Sequence, residues 1–530
     1  MKRIFIITGL NSYPIINNLI KGIHRYEIEI YKAPITISAF LSEDLTRDIL
    51  KKISIGNYDL VLLPGFVQWD TSTLEKEFSI EIKKGPEFAS DLPFILNNLD
   101  SIKLSNTIAV NKLIELSGLM EYNDFVAEKV KLAKKNISTH TFYINKQKSE
   151  VIIGKNLPPP IIAEIVNCPE KTNDSILRKV KHYIESGADI IDIGCIANKS
   201  YAERIREVIK LIRSNFKTLI SIDSMEKEEL ISAIDEGIDM ILSFDKGNYK
   251  DFTNIPKDIP IVILPTNIRA AYFPKEPKVR VENLIGLTKE LRSLGFQKLI
   301  ADPLLETPIN PGFANSLETY FLYKKTINQI KDNNIELPLF FGISNVVELM
   351  DIDSVGINGL LASIAIELDV GVLFTVEHSS KLMGGVRELK DSVKLNYLAK
   401  CKRAPPINHG ISIFKAKGKI SQNMPQIDIK RAIYADHENP DYVSDKNGFF
   451  RFYVDQYSKQ IYVFFYSNKN DLLNLIIGKN AETISKKIME LQITDDYYHL
   501  NYLGRELVKA EYCIYTGKPY IQDEKLFKKN

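Results

Sequence analysis

Two acids carry the chemistry of this sequence. Asp223 closes the apolar segment ISIDS (220–224) and Asp302 closes LIADP (299–303). Each follows β-type apolar residues and precedes a polar turn, which places it at the end of a buried strand. A carboxylate there can accept paired hydrogen bonds from a planar N–H/NH₂ edge, as found in guanidines and aminopyrimidines. Two such acids in one pocket, with amide and hydroxyl neighbours, suit a flat nitrogen heterocycle better than they suit general acid–base work. Asn167, Asp192, Ser243, Ser344 and Asn345 end other segments of the same kind. Asp192 reads as a brace of the strands. For Asp223 the competing reading is a helix cap, because Glu226 follows it at capping-box spacing.

The elements that must hold these residues repeat a single grammar. GADIIDIG (187–194) is a turn, a buried strand and a terminal glycine, and it follows a helical pattern over 174–186. Strands are expected near 161–167, 189–194, 218–223, 239–244, 260–265, 298–302, 338–343 and 370–376. Helical patterns fall at 174–186, 201–213, 226–236, 280–294, 315–331, 357–368 and 386–399, with none between the fourth and fifth strands. About eight βα units in ~250 residues predict a (β/α)₈ barrel, whose chemistry sits at the C-terminal ends of its strands.

Residues 1–140 predict an open α/β domain, with strands at Ile4–Thr8 and Asp59–Leu63 and a helix from Pro14 to about Tyr26. Their ends, TGLNS and LPGFVQWD, are candidate ligand contacts, but no G-x-G-x-x-G is present. A hairpin at 141–154 opens the barrel domain, 141–400, and is placed to cap its base. CKRAPP (401–406) is a linker, and 410–530 predict an α+β domain. That last domain begins with a hairpin over 449–465 and continues with helices at 480–491 and 498–515, the latter stopped by Gly517.

Composition narrows the partners. Lys+Arg 69 against Asp+Glu 67 leaves a net charge of +2, so bulk charge gives no reason to expect nucleic acid. Four dispersed cysteines without a C-x-x-C argue against a zinc knuckle or a disulfide framework and suit a reducing cytoplasm. No apolar run reaches the length of a membrane span, and MKRIFIITG reads as a first strand rather than a signal peptide.

The barrel motifs resemble those of the pterin-binding barrels: the dihydropteroate synthases and the methyltetrahydropterin:corrinoid methyltransferases. GADIIDIG resembles the family's second strand, ISIDS its SVDT segment and LIADP its LDPG segment. The resemblance implies that Asp223 and Asp302 meet the pterin. IVNCPE (165–170) stands where the synthases carry NVTPDSF, which puts Asn167 on the residue that helps hold a magnesium–pyrophosphate. Gly342-Ile343-Ser344-Asn345-Val346 resembles the methyltransferases' GLSNVSF, where the Asn lies near pterin N5, instead of the synthases' Ser-Arg-Lys. Leu242-Ser243 replaces an Asn-Asp, and His378 matches the Arg-x-His after strand eight only loosely. The three-part chain as a whole resembles an archaeal, dihydropteroate synthase-like group.

Two activities and one alternative follow. A synthase-type transferase would join a dihydropterin diphosphate to an arylamine in folate or methanopterin biosynthesis, with Mg²⁺, Asn167, Asp223 and Asp302 as its working parts. A methyltransferase would use a reduced, methylated pterin and a corrinoid protein. A binding protein would hold a pterin without turnover. By analogy the chain is expected to be a homodimer. The segment 267–280, with Arg269, Lys275, Lys278, Arg280, Tyr272 and Phe273, is a candidate flap over a phosphate-bearing substrate. His499 stands beside an amphipathic helix, where a structural role is expected ahead of a corrinoid-ligand one.

Overall fold

The computed structural model describes residues 1–526 apart from 54, 101, 331, 333 and 415–444. Part of the expected third domain, 415–444, therefore lies outside the described residues. The chain divides into two compact units, each described by itself: 1–123 with 407–411, and 124–406 with 412–414 and 445–526.

In the first unit β1 (Arg3–Thr8), β2 (Glu27–Lys32), β3 (Leu60–Leu63) and β4 (Glu81–Lys84) form a parallel sheet in the order β2-β1-β3-β4. The two central strands are the two legible in the sequence, because both of their faces are buried and they read as apolar runs. The edge strands EIEIYK and EIKK carry charge on their exposed positions and gave no such signal. The first helix stops at Leu19, short of Tyr26, because a 3₁₀ turn, Ile20–Gly22, follows it and leads the chain toward β2. A 26-residue helix, Val110–Lys135, stands where the sequence reading assigned no element.

The second unit contains the barrel. Its strands are β7 (Ile161–Ile165), β8 (Ile190–Gly194), β9 (Leu219–Asp223), β10 (Met240–Phe244), β11 (Ile261–Ile263), β12 (Leu299–Ala301), β13 (Phe340–Gly342) and β14 (Val372–Val376). All neighbours pair in parallel around the sheet. The cylinder closes where the Ala301 N–H donates to the Pro338 carbonyl at 2.9 Å. A helix follows every strand but the fourth, where only a short 3₁₀ turn, Tyr249–Phe252, intervenes.

Inward positions alternate with outward ones. Ile162, Ile190, Leu219, Met240, Val262, Ile300, Phe340 and Val372 meet in one core inside the cylinder. The hairpin of β5 (Phe142–Tyr143) and β6 (Ile152–Ile153) adds Phe142, Ile144 and Ile153 to that core, so it plugs the N-terminal end. Asp239 and Asp189 fasten the same end. The Asp239 carboxylate accepts from the Ile220 N–H at 2.9 Å and from Asn145 of the hairpin at 2.7 Å. Asp189 accepts from the Ile161 N–H at 2.9 Å.

The last helix of the barrel, Gly385–Lys402, runs into the expected linker. Beyond the undescribed stretch, β15 (Phe449–Asp455), β16 (Gln460–Tyr466) and β17 (Leu472–Gly478) form an antiparallel meander. Helices Ala481–Glu490 and Tyr497–Thr516 cover one of its faces. Gly517 ends the second helix at φ 79°, in the left-handed region.

The plug supplies a stability prediction. Truncating Phe142, 2% exposed inside the cylinder, to Ala should lower unfolding free energy by about 3–5 kcal/mol, the cost of a large core cavity. A denaturant titration showing a loss below ~1 kcal/mol would mean that the hairpin does not pack into the barrel.

Candidate functional site

Asp223 is the last residue of β9, and Asp302 immediately follows β12. Strand parity turns both toward the axis at the C-terminal mouth, where they line one pocket. Ser243, Asn345 and Gly342 line it as well, and Met225, Val262, Leu264, Phe340 and Phe374 form its apolar walls. The pocket holds about 230 Å³ of free space, a little below the roughly 300–1,000 Å³ typical of small-molecule sites. Gly342 keeps the wall low, because a Cβ there would stand 3.2 Å from the Asn345 amide nitrogen.

The two acids are held differently. Asp302 Oδ1 accepts from the Leu304 N–H at 2.8 Å and from the Tyr320 hydroxyl at 3.2 Å. The same Tyr320 hydroxyl lies 2.9 Å from the Phe340 carbonyl, so its one proton is shared between the two acceptors. Burial dominates the Asp302 carboxyl and pushes its pKa up to about 7, against those hydrogen bonds and the nearby Arg280. Asp223 accepts no side-chain hydrogen bond among the described residues, and burial raises it to about 6. The helix-cap reading of Asp223 is corrected: Ser224 makes the turn instead, accepting from the Glu226 N–H at 3.0 Å.

Two further acids stand inside the cylinder. Glu164 pairs in register with Asp192, and Gly194 with Asp223. Burial, then repulsion from Asp223, raises Glu164 to about 8. Asp192 is fully buried, and burial followed by repulsion from Asp223 and Glu164 holds it well above the ordinary range. Its Oδ1 accepts from the Ser221 hydroxyl at 2.6 Å, which ties β8 to β9. Its Oδ2 has no hydrogen-bond partner among the described residues.

The other expected site residues lie off the pocket. Asn167, exposed at φ 51°, begins the turn after β7. Ser344 is buried at the start of the short helix Ser344–Val347, and His378 is exposed beyond β14. Beside His378 a different pair forms, with His182 Nε2 2.8 Å from Glu377 Oε2. Glu377 also accepts from the Val386 N–H at 3.0 Å, so this acid is structural. Among the described residues no group of three His, Cys, Asp or Glu has the geometry to hold a metal ion.

The flap reading of 267–280 is corrected for its arginines. Arg269 pairs with Asp251. Arg280 is 2% exposed and donates to the Pro274 carbonyl and to Glu306, each at 2.7 Å. It therefore fastens the loops after β11 and β12 together. Neither arginine faces the pocket, and among the described residues no Lys or Arg lines it. His499 sits with Nδ1 2.6 Å from Asp445 and its ring edge-on to Phe450, joining helix to sheet. In the first unit a small crevice of about 50 Å³ lies at the ends of β1 and β3, touching Thr8 and Ser12 of TGLNS. Its Thr8, Ser12 and Ser38 hydroxyls bond to one another at 3.1 Å.

Tyr320, Glu164 and the apolar walls were not foreseen. Glu164 had a signal, since it falls at inward parity in β7. Tyr320 had none, because its role depends on a helix returning to the mouth 18 residues after Asp302.

Known proteins match this architecture. The family described as "Pterin binding enzyme" matches residues 168–359, and "PterinBD-DUF4346" matches 444–523. The "Uncharacterized protein MJ0107" of Methanocaldococcus jannaschii is 33% identical over 541 residues, covering 99% of each chain. Among solved structures, dihydropteroate synthase from Xanthomonas albilineans is 16% identical and aligns over 51% of this chain and 100% of its own, with a TM-score of 0.39. The Yersinia pestis enzyme is 15% identical over 50% of this chain and 100% of its own, with a TM-score of 0.37.

The raised carboxyls set a pH dependence. A folded pKa of about 7 at Asp302, against 3.8 unfolded, means the folded state binds more protons between those values. That contribution to stability is full below pH ~4 and is lost as pH rises through about 7; Asp223 and Glu164 act in the same direction. The ligand-free protein should melt higher at pH 5.5 than at 8.5. Asp302→Asn should flatten the profile and stabilise the protein at pH 8.5 by about 1–3 kcal/mol. A lower melting point for Asp302→Asn at pH 8.5 would contradict this assignment.

Proposed function

The chain belongs to the pterin-binding enzyme family, and on that premise we propose that it transfers a substituent to or from a reduced pterin held between Asp223 and Asp302. The observation that carries this reading is the shared pocket: two carboxylates at one mouth, apolar walls between them and no cation in the lining. A pterin offers its ring N–H and 2-amino donors to such acids and its faces to Phe340 and Phe374. Each N–H bonded to an ionised carboxylate compensates for the water that burial has removed.

Charge favours one transfer over the other. A hydroxymethyl diphosphate would bring several negative charges to a mouth already lined by two acids. A methylated tetrahydropterin brings none. We therefore favour methyl transfer, with Asn345 near N5 and a corrinoid protein as acceptor. In that step cobalt(I) supplies the electron pair of the new Co–CH₃ bond. N5 keeps the pair of the broken C–N bond and takes up a proton. The second reading is condensation of a dihydropterin diphosphate with an arylamine. It is favoured by Asn167, whose exposed side chain is unengaged among the described residues. Mg²⁺ would then be held chiefly by the diphosphate itself, with Asn167 beside it.

The purified protein separates these readings. Methyl transfer from a methyltetrahydropterin to cob(I)alamin supports the first. Mg²⁺-dependent pyrophosphate release with an arylamine supports the second. Binding of a reduced pterin without either reaction leaves only a carrier. In all three cases Asp302→Asn should weaken pterin binding by about 1–3 kcal/mol, the value of a charged hydrogen bond, and unchanged affinity by calorimetry would refute the assigned role. Because the ionised acids are the acceptors, affinity should rise with pH through about 7 and level off above it.

A further inference from the structure

The meander of the second unit has two apolar faces. Phe450, Phe452, Ile461, Val463, Phe465 and Ile476 point into the core beneath the two helices. The opposite face is normally the polar one in a sheet half-covered by helices. Here it presents Tyr453, Leu475 and Ile477, which are 53%, 47% and 48% exposed, and half-buried Phe449, Phe464 and Tyr466. Register makes these one surface: Tyr453 lies opposite Tyr462, Tyr462 opposite Ile477, and Phe464 opposite Leu475. Leu472 and Leu473, 51% and 53% exposed, extend it at the start of β17, an edge strand. Of its two charges, Asp455 sits at the turn end of β15, and Arg451 lies flat with its guanidinium 5.7 Å from the rings of Phe449 and Tyr466.

We propose that this outer face is a self-association surface, and that its occupant is the same face of a second copy of the chain. Three features select that occupant. The exposed area is on the order of 600 Å², near the ~800 Å² per partner of a standard interface and at the upper end of what a monomer leaves in water. Its one acid, Asp455, lies at the turn end of β15 and accepts from the Tyr457 N–H and the Ser458 hydroxyl, and its one base is stacked on rings, so its complement is another largely uncharged aromatic–aliphatic surface. The central strand β16 carries Tyr462, Phe464 and Tyr466 in line. A two-fold axis through it sets like residues against like, as an isologous contact requires, at the usual ~10 Å spacing of packed sheets.

Sedimentation equilibrium of the full chain tests this. The wild type should sediment at twice the chain mass at micromolar concentration, and Phe464→Lys with Leu475→Glu should raise the dimer dissociation constant at least ~100-fold while near-UV circular dichroism stays native. Phe321→Lys, the same kind of change on an exposed barrel helix (Phe321 is 56% exposed), should leave the dimer intact. A monomeric wild type, a dimer that survives the sheet variant, or one that only Phe321→Lys disrupts overturns the proposal. Hydrogen exchange on the wild type gives an answer even if the variant misfolds. Amides of 449–478 should gain protection with protein concentration, and concentration-independent exchange there overturns the proposal.

Discussion

A carboxylate sealed in a closed cylinder of strands is the constraint on which this structure turns. Around the axis, hydrocarbon replaces water, and among the described residues no lysine or arginine lines the mouth to replace the lost hydration. The cost falls on Asp302, Asp223, Glu164 and Asp192, each of which burial shifts toward its protonated form. Hydrophobic packing elsewhere in the barrel supplies the stability that this tolerates. A ligand rich in N–H donors, of the kind proposed, would relieve it.

Asp302 and Asp223 illustrate two ways of presenting such a group. Asp302 is gripped on one oxygen by the Leu304 N–H and the Tyr320 hydroxyl, which leaves the other to act as acceptor in a fixed direction. Arg280 steadies the same loop from behind through Glu306 and main-chain carbonyls, lending a field without entering the pocket. Asp223 lacks comparable support, and burial alone raises it, to about 6.

Much of this was legible in the sequence because parallel barrels write their strands as short apolar runs closed by polar residues. All eight strands fall within a residue or two of where the runs place them, and Asp223 and Asp302 were marked by ending two of them. What escaped was whatever depends on three dimensions. Edge strands β2 and β4 carry charge where a buried strand carries isoleucine. Tyr320 reaches Asp302 only through the return of its helix. Arg280 looked like a surface cation in a basic loop, yet it is among the most buried side chains, because carbonyl and carboxylate partners accept its N–H groups. Composition could not tell a free guanidinium from a spent one.

The hairpin over 141–154 has a consequence of its own. With Phe142, Ile144 and Ile153 wedged into the base, the cylinder is a blind-ended vessel with a single doorway. Whatever arrives and whatever departs must use the same opening, so occupancy is strictly sequential at the inner seat. A spent ring left there bars its successor, and the turnover of any chemistry performed at the rim is bounded by how quickly that seat is vacated.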